Sequence, residues 1–304
     1  MTRWPLAWIV ILVSATLTAC GSSPATAGTV VVTTNILGDV VRNVVGDQAT
    51  VNVLMQPNAD PHSFGVSAKD ATAMSSAGLI VYNGLGLEEG VTGNVETAAA
   101  EGVPTLAVGE SVDPLPYVDG ESAGNPDPHF WTDPRRIIGA VDAIADAVIR
   151  DVDGVDRAAV TRNAERYREE LRSLDTWMVK SFSTIPVERR KLVTNHHVLG
   201  YLAARYGFTV IGAVVPSGST LASPSSSDLD SLAGAIRESG VPAIFVDSSH
   251  PDRLARVLAD EAGIDVDVVS LYSESLDEPG TPGATYLDMM RTNTEAIVTG
   301  LTSH

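Results

Sequence analysis

Three of the chain's six histidines follow short apolar runs and precede helix-forming segments. They are His62 in NADPHSF, His129 in PDPHFWTDP and His196 in VTNHHVLGYL. Both intervals between them are 67 residues long, so no local motif groups them. Histidine is the commonest metal-ligating side chain and binds through its neutral imidazole. If the fold brings these three side chains together, they supply most of a metal site.

The elements that would position these histidines alternate between strand and helix. Short β-branched runs predict strands at 29–34, 50–55, 78–83, 105–108, 191–194, 208–215, 243–247 and 266–271. Helical patterns lie at 36–46, 67–77, 88–100, 134–152, 155–183 and 286–301, and a further helix is expected after His196, through Tyr206. Such alternation is typical of βαβ units with parallel sheets. The sequence therefore predicts an α/β fold in which one long helix joins two similar parallel-sheet lobes.

All three histidines fall on predicted strand-to-helix connections. In α/β lobes, ligands bind beyond the carboxyl ends of parallel strands. His62 and His196 follow strands directly, and His129 lies in the proline-rich loop after residues 105–108. Pro61 and Pro128 stiffen two of the loops, because proline fixes its own φ and restricts the residue before it. We expect the three side chains to face one cleft between the lobes.

A fourth ligand is expected to be a carboxylate, and Glu274 in SLYSESLDEPG is the best candidate because it follows the last predicted strand. Metal-bound histidine usually donates its other ring N–H to an oxygen. Asp247, at the end of AIFVD, is the first candidate for that supporting role, and Asp60 and Asp133 compete for it.

The other three histidines are expected to lie outside the site. His197 would point away from His196 if a helix starts there, and His250 and the terminal His304 are expected to be solvent-exposed.

The first twenty residues, MTRWPLAWIVILVSATLTAC, predict export. Arg3 provides a positive start, an apolar segment follows, and Leu17 to Cys20 resemble a bacterial lipobox. We expect residues 1–19 to be a lipoprotein signal peptide, Cys20 to carry lipid, including palmitate, and residues 20–28 to form a flexible tether. An ordinary secreted protein with a free thiol is the alternative. An acylated cysteine would anchor the domain to the extracytoplasmic face of the cell membrane.

Composition narrows the function further. The chain without residues 1–19 has 19 Lys and Arg against 38 Asp and Glu, a formal charge of −19, which disfavours nucleic acid as a partner. Cys20 is the only cysteine, so a disulfide and a cysteine-based zinc site are both excluded. Any metal site must use His, Asp, Glu or Asn. Since imidazoles bind metal only when neutral, we expect affinity to fall below about pH 6.5.

The chain resembles the metal-binding lipoproteins of bacterial ABC importers for zinc and manganese, the cluster A-I (cluster 9) substrate-binding proteins. The segments that carry the resemblance span the mature chain in order: DPHSFGVSAKD, GLIVYNGLGLE, DPHFWTDPRRI, TNHHVLGYLAARYGFTVIG, AIFVD, LYSESL and ATYLDMMRTN. The resemblance implies metal ligands at His62, His129 and His196. The family's fourth ligand, usually an aspartate, falls on Glu274. It also implies two lobes, here at residues 29–152 and 187–304, with a linking helix at 153–186.

The resemblance implies a protein that captures a metal ion and presents it to an ABC permease and its ATPase. We expect it to act as a monomer. Three imidazoles and a carboxylate favour Zn²⁺, whereas Mn²⁺ prefers more oxygen ligands. Manganese proteins of the family often replace the third histidine, which this chain keeps as His196. No histidine-rich loop lies between the first two ligands, since 113–126 contains none. A manganese protein of the same importer class is therefore the alternative.

Other classes of protein fit less well. A zinc hydrolase needs an open coordination position and a general base, and no HExxH is present. GLGLEEG, beginning at Gly84, weakly suggests nucleotide binding, but Glu89 stands where the dinucleotide motif has glycine. The sequence alone does not distinguish an importer protein from a surface adhesin that has the same metal site. Enzymatic activity is not expected.

Overall fold

The structure, a computed structural model, describes residues 28–302 except 119, 121, 264 and 265. The predicted signal peptide, the lipidated Cys20, the tether as far as residue 27, and His304 lie outside the described residues. Within the described part of the chain, no helix combines the length and the apolar character needed to cross a membrane.

The first lobe is built on a four-stranded parallel sheet in the order β2-β1-β3-β4. Its strands are β1 (Thr29–Val32), β2 (Thr50–Val53), β3 (Leu79–Tyr82) and β4 (Thr105–Ala107). Its helices are α1 (Asn35–Val45), α2 (Ala68–Ser75), α3 (Thr92–Ala100) and α4 (Pro134–Asp151).

The second lobe repeats this topology with a parallel sheet in the order β6-β5-β7-β8. Its strands are β5 (Lys191–Thr194), β6 (Thr209–Ala213), β7 (Ala243–Asp247) and β8 (Asp267–Leu271). Its helices are α6 (Gly200–Tyr206), α7 (Ser226–Ser239), α8 (Arg253–Ala262) and α9 (Tyr286–Thr302). The predicted α/β fold of two similar lobes is confirmed.

The long helix α5 (Arg157–Phe182) joins the two lobes and is about 39 Å long at 1.5 Å per residue. It packs on α1 and α4 of the first lobe and on α9, which in turn covers β8. Buried side chains of α5, among them Tyr167, Leu171 and Phe182, belong to one apolar core that also contains Val30 of β1 and Phe245 of β7. The lobes therefore share a continuous core along α5, and α5 is a packed spine.

Helix starts follow capping chemistry. Asp133 caps α4 by accepting from the Arg135 N–H, and Pro134 occupies the first turn, where a missing N–H costs nothing. The α2 and α7 helices begin with capping boxes between Ser67 and Asp70 and between Ser225 and Asp228.

The structure corrects several predicted elements. The helix expected from residue 88 begins at Thr92, because Glu88 is buried in the preceding turn. The helix after His196 begins only at Gly200. Sequence analysis missed α7 and α8, although the serine and aspartate of the α7 capping box could have indicated the first of them.

Candidate metal site

Four predicted ligands converge between the lobes. One ligand atom from each of His62, His129, His196 and Glu274 lies within 4.8 Å of the others. His62 and His129 come from connections of the first lobe, and His196 and Glu274 from connections of the second. Each of the four follows the carboxyl end of a parallel strand, which is why the two sheets can direct them to one point. All four are at most 2% exposed.

The spacing of the donor atoms suits one small cation. The Nε2 atoms of His62 and His129 are 3.3 Å apart, and His196 Nε2 lies 3.0 Å from Glu274 Oε1. His129 Nε2 and His62 Nε2 lie 3.7 and 3.8 Å from the Glu274 carboxylate. A tetrahedral ion with bonds of about 2.0–2.1 Å would hold its ligand atoms about 3.3 Å apart. The cluster therefore fits a tetrahedral cation with small adjustments of the side chains.

Several of these buried atoms lack a hydrogen-bond partner. Both Glu274 carboxylate oxygens and His196 Nε2 have no hydrogen-bond partner among the described residues, although Glu274 Oε1 and His196 Nε2 are only 3.0 Å apart. Buried polar atoms are normally hydrogen-bonded. Several buried polar atoms without a partner at one point therefore indicate a binding site for a ligand. A cation bound at the centre would satisfy all of them at once.

Two copies of the tripeptide Asp-Pro-His place the first two histidines. The Asp60 carboxylate accepts from the His62 N–H at 2.9 Å, and the Asp127 carboxylate accepts from the His129 N–H at the same distance. The proline between them fixes the turn. The two loops of the first lobe thus use the same local geometry to aim an imidazole at the cleft.

Asp127 also contacts the His129 ring. Its Oδ1 lies 2.7 Å from Nδ1, and the Tyr117 hydroxyl lies 3.3 Å from the same nitrogen. An Nδ1–H donated to Asp127 leaves Nε2 free to face the cluster, which fixes the tautomer needed for metal binding. Sequence analysis missed Asp127, although the repeated Asp-Pro-His was a signal for it.

The other imidazoles have weaker support. His196 Nδ1 lies 3.0 Å from the Asn195 side-chain amide, and His62 Nδ1 has no hydrogen-bond partner among the described residues. Asn195 was also missed by sequence analysis, and nothing but its position beside His196 could have indicated it. Support of the rings is thus strongest at His129.

Asp247 acts on Glu274 through the backbone. Its Oδ2 accepts from the N–H groups of Ser273 and Glu274 at 2.9 and 3.0 Å and from the Ser273 hydroxyl at 2.7 Å. Its Oδ1 accepts from Ser249. Asp247 therefore fixes the turn that carries Glu274, whereas the sequence predicted support of an imidazole.

The Glu274 turn is also fastened to the first lobe. Asn35 donates to Ser275 Oγ at 2.7 Å and accepts from the Leu276 N–H at 2.9 Å. The Trp131 indole N–H donates to the Ser273 carbonyl at 2.9 Å. The turn that carries Glu274 is thus held from both lobes, by Asp247 of the second and by Asn35 and Trp131 of the first.

Burial shifts the pKa values of the cluster towards uncharged groups. Burial first, then the neighbouring His129 and His196, lowers the pKa of His62 to about 2. Burial lowers the pKa of His196 to about 4 and that of His129 well below its usual value. Burial and the nearby carboxylates of Asp247, Asp60 and Asp127 raise the pKa of Glu274 well above its usual value. The imidazoles are neutral and ready to bind metal.

The pKa values of Asp127 and Asp60 are shifted in opposite directions. Burial raises the pKa of Asp127 to about 7, although the His129 N–H opposes this. Burial alone would raise the pKa of Asp60, but hydrogen bonds from Thr220, His62 and Ser63 outweigh it and lower the pKa. Asp60 is therefore a carboxylate at neutral pH.

The remaining candidates lie elsewhere or differ from expectation. Asp133 was predicted to accept a hydrogen bond from a metal-binding imidazole. Its carboxylate instead caps α4 and contacts none of the four cluster side chains. His197 stays outside the cluster as expected, with its N–H donating to the Ser217 carbonyl at 3.1 Å. His250 was expected to be exposed, but only 31% of its side chain is, and its Nε2 faces Asp60 Oδ2 at 3.7 Å.

The glycine-rich GLGLEEG turn contains a buried carboxyl group, that of Glu88. Glu88 accepts from the N–H groups of Asn83 and Gly84 at 2.6 and 3.1 Å and from the Thr33 hydroxyl at 2.7 Å. These backbone N–H groups are therefore already bonded within the chain and are not free to bind a phosphate. The turn is structural.

The chain is similar to known metal-binding proteins. Manganese-binding lipoprotein MntA of Halalkalibacterium halodurans is 29% identical over 90% of this chain and 88% of its own length. Zinc-binding protein TroA of Treponema pallidum is 32% identical, with 90% and 88% covered. The solved structure of the periplasmic zinc-binding protein TroA from Treponema pallidum superposes with a TM-score of 0.82 at 31% identity, covering 90% of this chain and 99% of that chain.

The family model described as ZnuA, zinc-uptake complex component A periplasmic, matches residues 30–300, which is nearly all of the described chain. That match includes both lobes, the α5 spine and all four residues of the cluster. The chain therefore belongs to the ZnuA family.

Proposed function

We propose that this protein captures Zn²⁺ outside the cytoplasm and delivers it to the permease of an ABC importer. The observation that carries the proposal is the buried convergence of three imidazole Nε2 atoms and one carboxylate. Family membership supports transport as the process. The metal ion is the cargo in this proposal, and no chemical step changes it.

The donor set favours zinc over manganese. Three nitrogen atoms and one carboxylate suit Zn²⁺, whereas Mn²⁺ favours more oxygen ligands in an octahedral arrangement. The relatives do not decide the metal, because MntA is named for manganese and TroA for zinc. Manganese therefore stays the second candidate, within the same importer class.

The two-lobe origin of the ligands provides a route for release. His62 and His129 belong to the first lobe, and Asn35 and Trp131 tie the Glu274 turn to that lobe as well. His196 is the ligand without such a tie in the hydrogen bonds of its ring, whose partner is the adjacent Asn195. Separation of the lobes would move His196 away from His62 and His129, and a site that loses one of its four ligands releases zinc more easily.

The permease and its ATPase are the proposed partners, and lipid on Cys20 is proposed to hold the protein at the extracytoplasmic face of the cell membrane. The binding site needs neither a nucleophile nor an open coordination position for this role. We propose that the protein is not an enzyme, because four protein ligands would complete the coordination of zinc and exclude a reactive water.

Elemental analysis of the purified protein, followed by competitive titration with Zn²⁺ and Mn²⁺, tests the proposal. We expect one equivalent of zinc to bind and manganese to compete poorly. His62→Ala, His129→Ala and His196→Ala should each weaken zinc binding severely, whereas His197→Ala should not. Wild-type affinity in His62→Ala would contradict the site, and preferred binding of manganese would select the second candidate.

A further inference from the structure

His250 has an unusual environment for a partly exposed histidine. Its side chain is 31% exposed, yet its Nε2 is shielded from solvent and has no hydrogen-bond partner among the described residues. The nearest acidic atom is Asp60 Oδ2, at 3.7 Å. An inward-facing nitrogen without a partner is a donor or acceptor that the fold has not used.

Asp60 offers the complementary ligand atom. Its Oδ1 accepts from the His62 N–H, its Oδ2 accepts from the Thr220 hydroxyl at 2.7 Å, and Ser63 also donates to the carboxylate. A carboxylate has about four lone-pair positions, so these three donors leave one for another partner. With bonds of about 2.0–2.2 Å, a divalent cation could contact two ligand atoms that are 3.7 Å apart.

One cavity is lined both by His250 and by a residue of the central cluster. The cavity has a volume of about 160 Å³. Its lining includes His250, Thr220, Asn195 and His196, together with apolar residues such as Val246. His250 is 31% exposed and His196 is 1% exposed, so a partly exposed imidazole and a proposed ligand of the central site line the same cavity.

We propose that His250 and Asp60 form a second, weaker divalent-cation site on the path to the central cluster. One imidazole and one carboxylate provide two protein ligands, and water completes the coordination of the ion. Fewer protein ligands make the site weak, and weak binding suits an intermediate stop from which the ion moves on. We expect this second site to bind the same ion as the central site. Only the identity of that ion rests on the proposed function.

Calorimetric titration of the full-length protein with ZnCl₂ tests this site. We expect a tight first step at the central cluster and a weaker second step. His250→Ala and the size-conserving His250→Gln should weaken the second step at least tenfold and leave the affinity of the first within about twofold, a difference of about 0.4 kcal/mol. The retained first step also shows that the variants are folded.

His197→Ala is the matched control, because it removes an imidazole that lines a different cavity. It should leave both steps unchanged. The proposal is overturned by a second step that persists in His250→Ala, by one that His197→Ala weakens equally, or by its absence from the wild-type protein at millimolar zinc. Loss of the first step in the wild-type protein would contradict the proposed function instead, and the weaker step at His250 would still be measured.

Discussion

At the scale of single residues, Asp127 decides how His129 presents its Nε2 atom. The carboxylate contacts both the backbone N–H and the ring Nδ1 of the same histidine. Removing such a partner typically costs about 10- to 100-fold in metal affinity, because the ring loses its fixed tautomer and orientation. We expect Asp127→Asn to weaken zinc binding by that factor.

Asp133→Asn is the control for this substitution. It lies in the same DPHFWTDP segment but caps α4, and asparagine caps helices as well as aspartate does. Metal competition with a chelator of known affinity measures both variants. Equal affinities of Asp127→Asn and the wild-type protein would show that the contact with His129 does not support binding.

The pKa shifts change the expected source of the pH dependence. His62 and His196, with pKa values of about 2 and 4, are already neutral between pH 8 and 5. Glu274 binds metal as a carboxylate but has a raised pKa, so any proton that it carries is released when zinc enters. Affinity should therefore fall as the pH falls, by up to about tenfold per pH unit for one released proton.

Zinc titrations from pH 8 to pH 5, in buffers with different ionisation enthalpies, measure the affinity and the number of protons released. Glu274→Gln should lower the number of protons released on zinc binding by one and make the affinity less dependent on pH. An affinity that stays constant over this range would contradict the assignment. The direction agrees with the expectation from the sequence, but the proton comes from a carboxyl group instead of an imidazole.

At the scale of elements, two connections meet at Trp131. Its ring lies 5.2 Å from the His129 ring, centre to centre, and its N–H is bonded to the Glu274 turn through Ser273. Zinc binding should move both neighbours and change the indole emission. We expect Trp131→Phe to abolish most of the change.

Trp177 on α5 provides the control, because it packs against the core and not against the cluster. Trp177→Phe should retain the zinc-dependent change. Fluorescence titration of the protein lacking residues 1–19, which removes Trp4 and Trp8, measures both variants. A protein that binds zinc with an unchanged spectrum would contradict the placement of Trp131.

At the scale of the whole molecule, Asp175 connects three helices. It lies on α5 and accepts from Arg135 of α4 at 3.0 Å, from Arg205 of α6 at 2.8 Å and from the Tyr206 hydroxyl at 3.0 Å. Burial alone would raise the pKa of Asp175, but these hydrogen bonds outweigh it and lower the pKa. The contribution to stability is therefore present above about pH 4, the usual pKa, and is lost as the pH falls through the lowered value.

Asp175→Asn should lower the free energy of unfolding by about 1–3 kcal/mol at pH 7, and by less at pH 3. Urea denaturation at the two pH values measures the difference. Asp142→Asn, which removes an exposed ion pair between α4 and α5, should cost less than about 1 kcal/mol. Equal costs for the two variants would mean that Asp175 is no more important than a surface pair.

The sequence by itself determined the fold class and the four residues that converge. Strand and helix periods are local properties, and the position of a residue just after a parallel strand places it at the carboxyl edge of a sheet. His62, His129, His196 and Glu274 could therefore be named before any coordinate was known. The shared core along α5 was not visible in this way, because it depends on contacts between distant segments.

The tertiary structure decided what surrounds those four side chains. Asp127 contacts an imidazole and Asp133 caps a helix, although both are aspartates within four residues of His129. Asn35 reaches a turn 240 residues later in the chain. His250 turns its Nε2 inward towards Asp60. A hydrogen bond depends on distances and angles of a few tenths of an ångström, which residue type and spacing do not specify.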